Sequence, residues 1–546
     1  MSFGRGVAHT EPIAERISDC EAHTPAPFLT QSRPPRESVC IKSDEQRSIP
    51  ASLTVKRAIR FPFTFLSLLV FLLVTLLFIS ARGNIADPDL WWHLRNAEYL
   101  LEFHQLPRHD LYSFTVSGHP WVNTEWLSEI PFYLSWRFGG LEGVHALTLF
   151  VIIAIFLGLL YLCYKESRNF KASIAACCLA TFLARVSFGP RTILFGYAYL
   201  IVLLIILQRL RLRGDGPLWL IPPLFCLWAN THGSWLLGFI VFLIIGTAGF
   251  LQGRWARIES DRWTPLQRRK IALTGLASCA AVFINPFGVG LAFYPFDLAF
   301  RQKLNIAHVA EWVSVNFHDV RGKVVFAVLI MLLIGALLRQ DRWSLTDVGL
   351  VVFALYCGLT YIRFLFLLGI VVAPQISKLL DFIPPYRPDI DKPLLNACLI
   401  ASMILAICWY WPRSAELQNS VNQQYPSEAL GFLHTHPLKG RMLNFYLWGG
   451  YLGWNDRNLK IFVDSRVDIF EYDGVLKDYL DLLSLNRSES ILNKYQIGYV
   501  LFPLSEPLTY ALEHDSNWRV IFKDDLSVLL EKSGESPTIT ESKFAP

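Results

Sequence analysis

The stretch Phe61–Leu94 reads FPFTFLSLLVFLLVTLLFISARGNIADPDLWWHL, and its reading decides the fold. The first part, Phe61–Ser80, is an apolar run of the length that crosses a bilayer, about 20 residues. Directly beyond it stand two carboxylates, Asp87 and Asp89, and an imidazole, His93. Acids placed where a chain leaves the membrane either sit idle in headgroup water or face an interfacial site. Lys56, Arg57 and Arg60 precede the run, so the positive-inside rule places the N-terminus in the cytoplasm. Asp87–His93 then emerges on the outer face.

Outward from this stretch, the composition has 53% hydrophobic and 17% charged residues. Soluble domains carry about 25% charge, so a polytopic membrane protein is expected. The net charge of +5 is dispersed over short loops, which reads as topology and excludes a nucleic-acid surface. Residues 1–55 are rich in Pro, Ser, Arg and Glu without apolar period, the pattern of a disordered cytoplasmic tail. A charged stretch of that length is not a signal peptide, so the first span reads as an uncleaved anchor. Ten cysteines occur, none of them between Pro412 and Pro546, with no disulfide framework and no CxxC pair. They read as small buried thiols.

Hydropathy and loop charge predict about eleven spans. They are Phe61–Ser80, Leu141–Tyr164, Ala172–Phe188, Ile193–Leu207, Pro217–Ala229, Trp235–Leu251, Ile271–Ile284, Val324–Leu338, Val348–Ile362, Phe364–Leu380 and Leu394–Trp411. Every short basic loop then falls on one side. The transmembrane part covers 56–411, with outer loops at 81–140 and 285–323; the piece Trp126–Arg137 looks amphipathic and suits the interface. Residues 412–546 change character. Strands are predicted at Arg441–Phe445, Lys460–Asp464, Gly498–Phe502, Trp518–Lys523 and Ser527–Glu531, and helices at Val475–Leu483 and Ser488–Tyr495. This is the pattern of a small extracytoplasmic α/β domain.

Eight ionisable residues map near the outer ends of spans: Asp87, Asp89, His93, Glu125, Arg191, His232, Glu311 and Arg363. Such groups at a bundle edge are costly unless paired, hydrated or used, so they are candidates to line one cavity. Each has a structural alternative. The arginines can snorkel to lipid phosphates. Asn230-Thr231-His232-Gly233 and Asp87-Pro88 can be turns. Glu125 and Glu311 precede Trp126 and Trp312, an interfacial pairing, and His93 stands four residues after Asp89 as a helical neighbour. No GxSxG elbow, Walker loop, dinucleotide fingerprint or HExxH occurs, which favours a lipid-linked rather than a soluble nucleotide substrate.

At these residues the chain resembles the GT-C superfamily of membrane glycosyltransferases. The resemblance covers about residues 60–530. It is carried by Asp87–Leu94, Pro107–Ser113, Glu125-Trp126-Leu127, Pro190-Arg191, Asn230–Gly233, Asn285–Gly288, Glu311-Trp312, Arg363 ahead of Pro374, Trp448–Leu452 and Val463–Arg466. It implies a polyprenyl-phosphate sugar as donor and a glycan, lipid or protein acceptor at the outer face of a bacterial inner membrane. Asp87 is implied as general base, with Asp89 orienting the acceptor or joining His93 around a divalent metal. The choice between the two aspartates stays open. Arg191, Arg363 and His232 are implied around the lipid phosphate, with Glu125 and Glu311 supporting them. Two other classes compete: a transporter or flippase of lipid-linked sugar, for which Arg185 supplies the one charge deep in a span, and a non-catalytic membrane assembly protein.

Overall fold

Apolar segments in lipid must satisfy their backbone internally, and here they do so as helices. The computed structural model describes residues 63–308, 310–338 and 342–533; the tail expected at 1–55 lies outside them. Among the described residues, five helices are long and apolar enough to span: Trp126–Ser167, Phe170–Ser187, Ile193–Arg213, Val320–Leu338 and Ile362–Leu379. A sixth arises if the bent pair Pro393–Trp409 and Ser414–Asn422 is one span. Shorter apolar helices occupy Phe65–Ala81, Leu218–Thr231, Trp235–Phe250, Val289–Phe300 and Leu345–Thr360. The molecule is a polytopic helical membrane protein.

The segment Leu365–Leu379 is apolar on all sides and sits in the middle, with Leu365 through Ala373 all buried. It packs on Phe170–Ala184, Trp126–Ser167 and Leu345–Thr360. The 42-residue helical stretch Trp126–Ser167 is two helices across a kink, and the piece Trp126–Arg137 lies in the first of them. Gly140, at φ 55° and ψ −143°, breaks the stretch where the span Leu141–Tyr164 was expected to begin. Ile271–Ile284 falls in the helix Pro265–Val282, which opens on the polar run Gln267–Lys270 and is not among the apolar helices.

Beyond Trp411 a four-stranded sheet forms in the order Arg441–Asn444, Ile497–Pro503, Ser527–Lys532, Trp518–Lys523. The first pair is parallel and the others antiparallel. Lys460–Asp464, expected as a fifth strand, is not one: Ile461 exchanges backbone hydrogen bonds with Tyr112 and Phe114 of the segment 81–140 instead. This is one sign of a wider interlock. Leu90, Trp91 and Leu94 share a core with Tyr425, Trp448 and Tyr451, and Trp92, Val116 and Trp121 share another with Phe462 and Val467. The segment 81–140 and the C-terminal α/β region bury the same apolar surface.

Candidate active site

The site is built from chain segments where helices begin or end. Asp87 is the N-cap of Pro88–Phe103: its carboxylate accepts from the Asp89 backbone N–H at 3.0 Å, with Pro88 pre-set at the first helical position. Its other oxygen accepts from Arg191 Nε at 2.6 Å. Arg191 also contacts Glu311 through Nη1, so one guanidinium serves two carboxylates. Burial raises the Asp87 carboxyl against the opposing pull of Arg191.

Asp89, two residues on, faces a cavity of about 600 Å³, and so do Glu125, Arg191, His232, Glu311 and Arg363. Asp87 and His93 do not line it. Asp89 Oδ1 accepts from Trp92 Nε1 at 3.2 Å, and the same N–H lies 3.1 Å from Ser465 Oγ of the C-terminal region. Arg363, in the short turn Ile362–Phe364, has no carboxylate partner among the described residues, and its buried Nε has no hydrogen-bond partner. Its guanidinium carbon lies 4.3 Å from the centre of the Trp312 ring. A buried N–H without a partner is costly, which makes Arg363 a cation of the cavity with unused binding capacity.

Behind the cavity wall runs a chain of side chains. His232 accepts from the Ser234 backbone N–H through Nδ1 at 2.9 Å, which puts its own proton on Nε2, 3.3 Å from Glu125 Oε1. Glu125 Oε2 lies 3.3 Å from His93 Nε2, and His93 Nδ1 lies 3.1 Å from Glu129 Oε1. Asn96 and Asn123 donate to Glu129 in turn. Burial lifts the Glu125 carboxyl to about 7 and, with Arg363 nearby, depresses His232 to about 3. Burial alone would depress His93, but the Glu129 hydrogen bond and the Glu125 carboxylate raise it.

No protein-family model matches the sequence. No curated protein matches it either. Among solved structures, the chain is similar to the Archaeoglobus fulgidus oligosaccharyltransferase tethered with an acceptor peptide. The TM-score is 0.51 at 13% identity, over 80% of this chain and 68% of that one. This chain has the GT-C fold. Also similar are ArnT from Cupriavidus metallidurans bound to undecaprenyl phosphate, with TM-score 0.46 at 10% identity over 88% and 98% of the two chains, and the arabinofuranosyltransferase AftD from Mycobacteria, with TM-score 0.42 at 12% identity over 86% and 40%.

On this GT-C frame the eight residues singled out from sequence gather at one place. Six line the cavity, and the other two, Asp87 and His93, pack behind it on Arg191 and Glu125. Both ring nitrogens of His93 meet glutamates, Glu125 and Glu129. Among the described residues, no group of three or more His, Cys, Asp or Glu is arranged to hold an ion. Glu129, Tyr294, Ser465, Arg466 and Asp468 were not singled out as site residues. Glu129 sits in a piece that reads as amphipathic surface, and Tyr294 in a run that reads as apolar loop. Arg466 and Asp464 carried a signal, since Val463–Arg466 is one of the segments behind the resemblance.

Proposed function

We propose that this GT-C chain transfers a sugar from a polyprenyl-phosphate donor to an acceptor hydroxyl at the outer face of a bacterial inner membrane. In this reading the chain has about eleven spans, a cytoplasmic N-terminus and an outward C-terminal region. One observation carries it: Arg363, whose buried Nε has no hydrogen-bond partner among the described residues, shares a cavity of about 600 Å³ with the carboxylate of Asp89. Arg363 holds the phosphate and takes up the charge that grows on it as the bond to the anomeric carbon breaks. The acceptor oxygen forms the new bond to that carbon, and its proton passes to Asp89. Asp87, committed to its cap and to Arg191, positions Asp89 rather than taking the proton. Arg191 holds Asp87 and Glu311 and faces the phosphate with what capacity remains; His232 donates through Nε2 beside it.

Arg185, the charge on which the transporter alternative rests, is exposed and does not line the cavity, which supports the transferase reading. The test is transfer of labelled sugar from a polyprenyl phosphate by the purified chain in nanodiscs. Asp89→Asn is expected to lower turnover by about 10²–10⁴-fold with no change in melting temperature. Full activity in Asp89→Asn, or movement of lipid-linked sugar across the bilayer without a new glycosidic bond, overturns it.

A further inference from the structure

The cavity has a second polar end, made by segments distant from Arg363. Tyr294 of the helix Val289–Phe300 and Asp468 of the C-terminal region meet there, with the phenol donating to Asp468 Oδ2 at 3.2 Å. Both residues line the cavity, together with Ser465, Arg466, Trp92 and Trp121. The shared indole N–H of Trp92 ties Ser465 to Asp89, so this wall adjoins the carboxylate that faces the cavity.

The wall is rigid. Arg466 is 1% exposed, donates to both Asp464 and Asp110, and lies 4.8 Å from the Tyr112 ring centre and 4.9 Å from that of Trp121. Its Nη1 is buried with no hydrogen-bond partner among the described residues, a donor left over on a residue that lines the cavity. The charge of Arg466 is already offset by two carboxylates. Asp89 and Asp468 add two more acidic groups, so this end of the cavity carries an excess of negative charge and disfavours an anion.

We propose that Asp468, Tyr294, Ser465 and the free N–H of Arg466 form the acceptor subsite, and that it takes a neutral, hydroxyl-rich ligand, the ring of a sugar. This rests on the glycosyl-transfer reading. Asp468 accepts from ligand hydroxyls, the Tyr294 oxygen and Ser465 accept or donate, and Arg466 donates to a ring or hydroxyl oxygen. Trp92 and Trp121 offer indole surface to the apolar face of the ring, the mix of apolar lining and few polar groups that suits a small-molecule site. A hydroxyl held by Ser465 and Asp468 lies on the side of the cavity where Asp89 can take its proton.

The test uses the full chain in nanodiscs and two probes. Undecaprenyl phosphate binding is followed by tryptophan fluorescence, and a panel of methyl glycosides by saturation-transfer NMR, with a serine peptide and a sugar phosphate as competitors. At least one neutral glycoside is expected to bind. Asp468→Asn and Tyr294→Phe should weaken it by about tenfold or more while leaving lipid-phosphate binding unchanged, and Arg363→Ala should do the reverse. The acceptor assignment is overturned if no glycoside binds, if both variants bind the glycoside as the wild type does, or if the peptide or the sugar phosphate binds in its place. Loss of lipid-phosphate binding in the wild type would instead overturn the donor reading.

Discussion

Arg191 Nε lies 2.6 Å from Asp87 Oδ2 and ties the cap of the helix Pro88–Phe103 to the turn ahead of the helix Ile193–Arg213. The acid with the stronger sequence claim to catalysis is thereby occupied, and Asp89 is left to face the cavity. Asp87→Ala should therefore act on stability. It removes a helix cap, typically about 1 kcal/mol, and leaves a largely buried guanidinium one partner short, for a total on the order of 3 kcal/mol. Melting in detergent compared with Asp89→Asn separates the two roles: Asp87→Ala lowers the midpoint and Asp89→Asn does not. Equal midpoints would remove the structural role given to Asp87.

Arg363 is expected to govern lipid-phosphate affinity. Arg363→Lys keeps the charge but loses the planar fork and the stack on Trp312. Its affinity for undecaprenyl phosphate should fall less than that of Arg363→Ala, which should lose about tenfold or more. Binding measured by fluorescence titration decides it, and unchanged affinity in Arg363→Ala would remove Arg363 from the phosphate site.

Glu125 should impose a pH dependence on stability. Burial raises its carboxyl to about 7 in the fold, from an ordinary value near 4.5. Between those values the folded chain holds a proton that the unfolded chain has released, so this group's contribution to stability falls as pH rises from about 4.5 to 7. The loss has an upper bound of about 3 kcal/mol. Glu125→Gln should flatten that slope and melt higher than the wild type at pH 8, with little difference at pH 5. A slope unaltered by the substitution would refute the assignment.

Arg466 fastens the C-terminal region to the segment that carries Asp110. Arg466→Leu would strand Asp464 and Asp110, both buried, without their shared cation, at a cost of about 3–5 kcal/mol. Limited proteolysis should then cut 412–533 in the variant under conditions where the wild type resists. Wild-type resistance in the variant would show that the shared apolar cores hold the interface alone.

Much of the membrane part is legible in the chain because hydropathy and loop charge are local properties. Each segment expected to span, apart from Ile271–Ile284, overlaps a mainly apolar helix, since a helix in lipid needs no distant partner for its backbone, but among the described residues only five of those helices are long and apolar enough to cross by themselves. The gathering of Asp89, Glu125, Arg191, His232, Glu311 and Arg363 was also within reach, because loop charge assigns all six to one face before their contacts are known. Lys460–Asp464 was misread for the opposite reason. An extended apolar segment has the strand pattern, but its partner lies some 350 positions earlier in sequence.

What the sequence determined by itself is a polytopic helical protein with acids and cations collected at one set of helix ends. Tertiary structure decided which of them is free. Asp87 and Asp89 are the same residue type two positions apart, and only the approach of Arg191, 104 residues later, makes one a cap and leaves the other open. Arg191 and Arg363 are alike in sequence, and only the positions of Asp87 and Glu311 engage the first and leave the second without a carboxylate partner among the described residues. Charge sign and hydropathy are written residue by residue. Pairing is a property of distance, and distance between remote segments exists only in the folded chain.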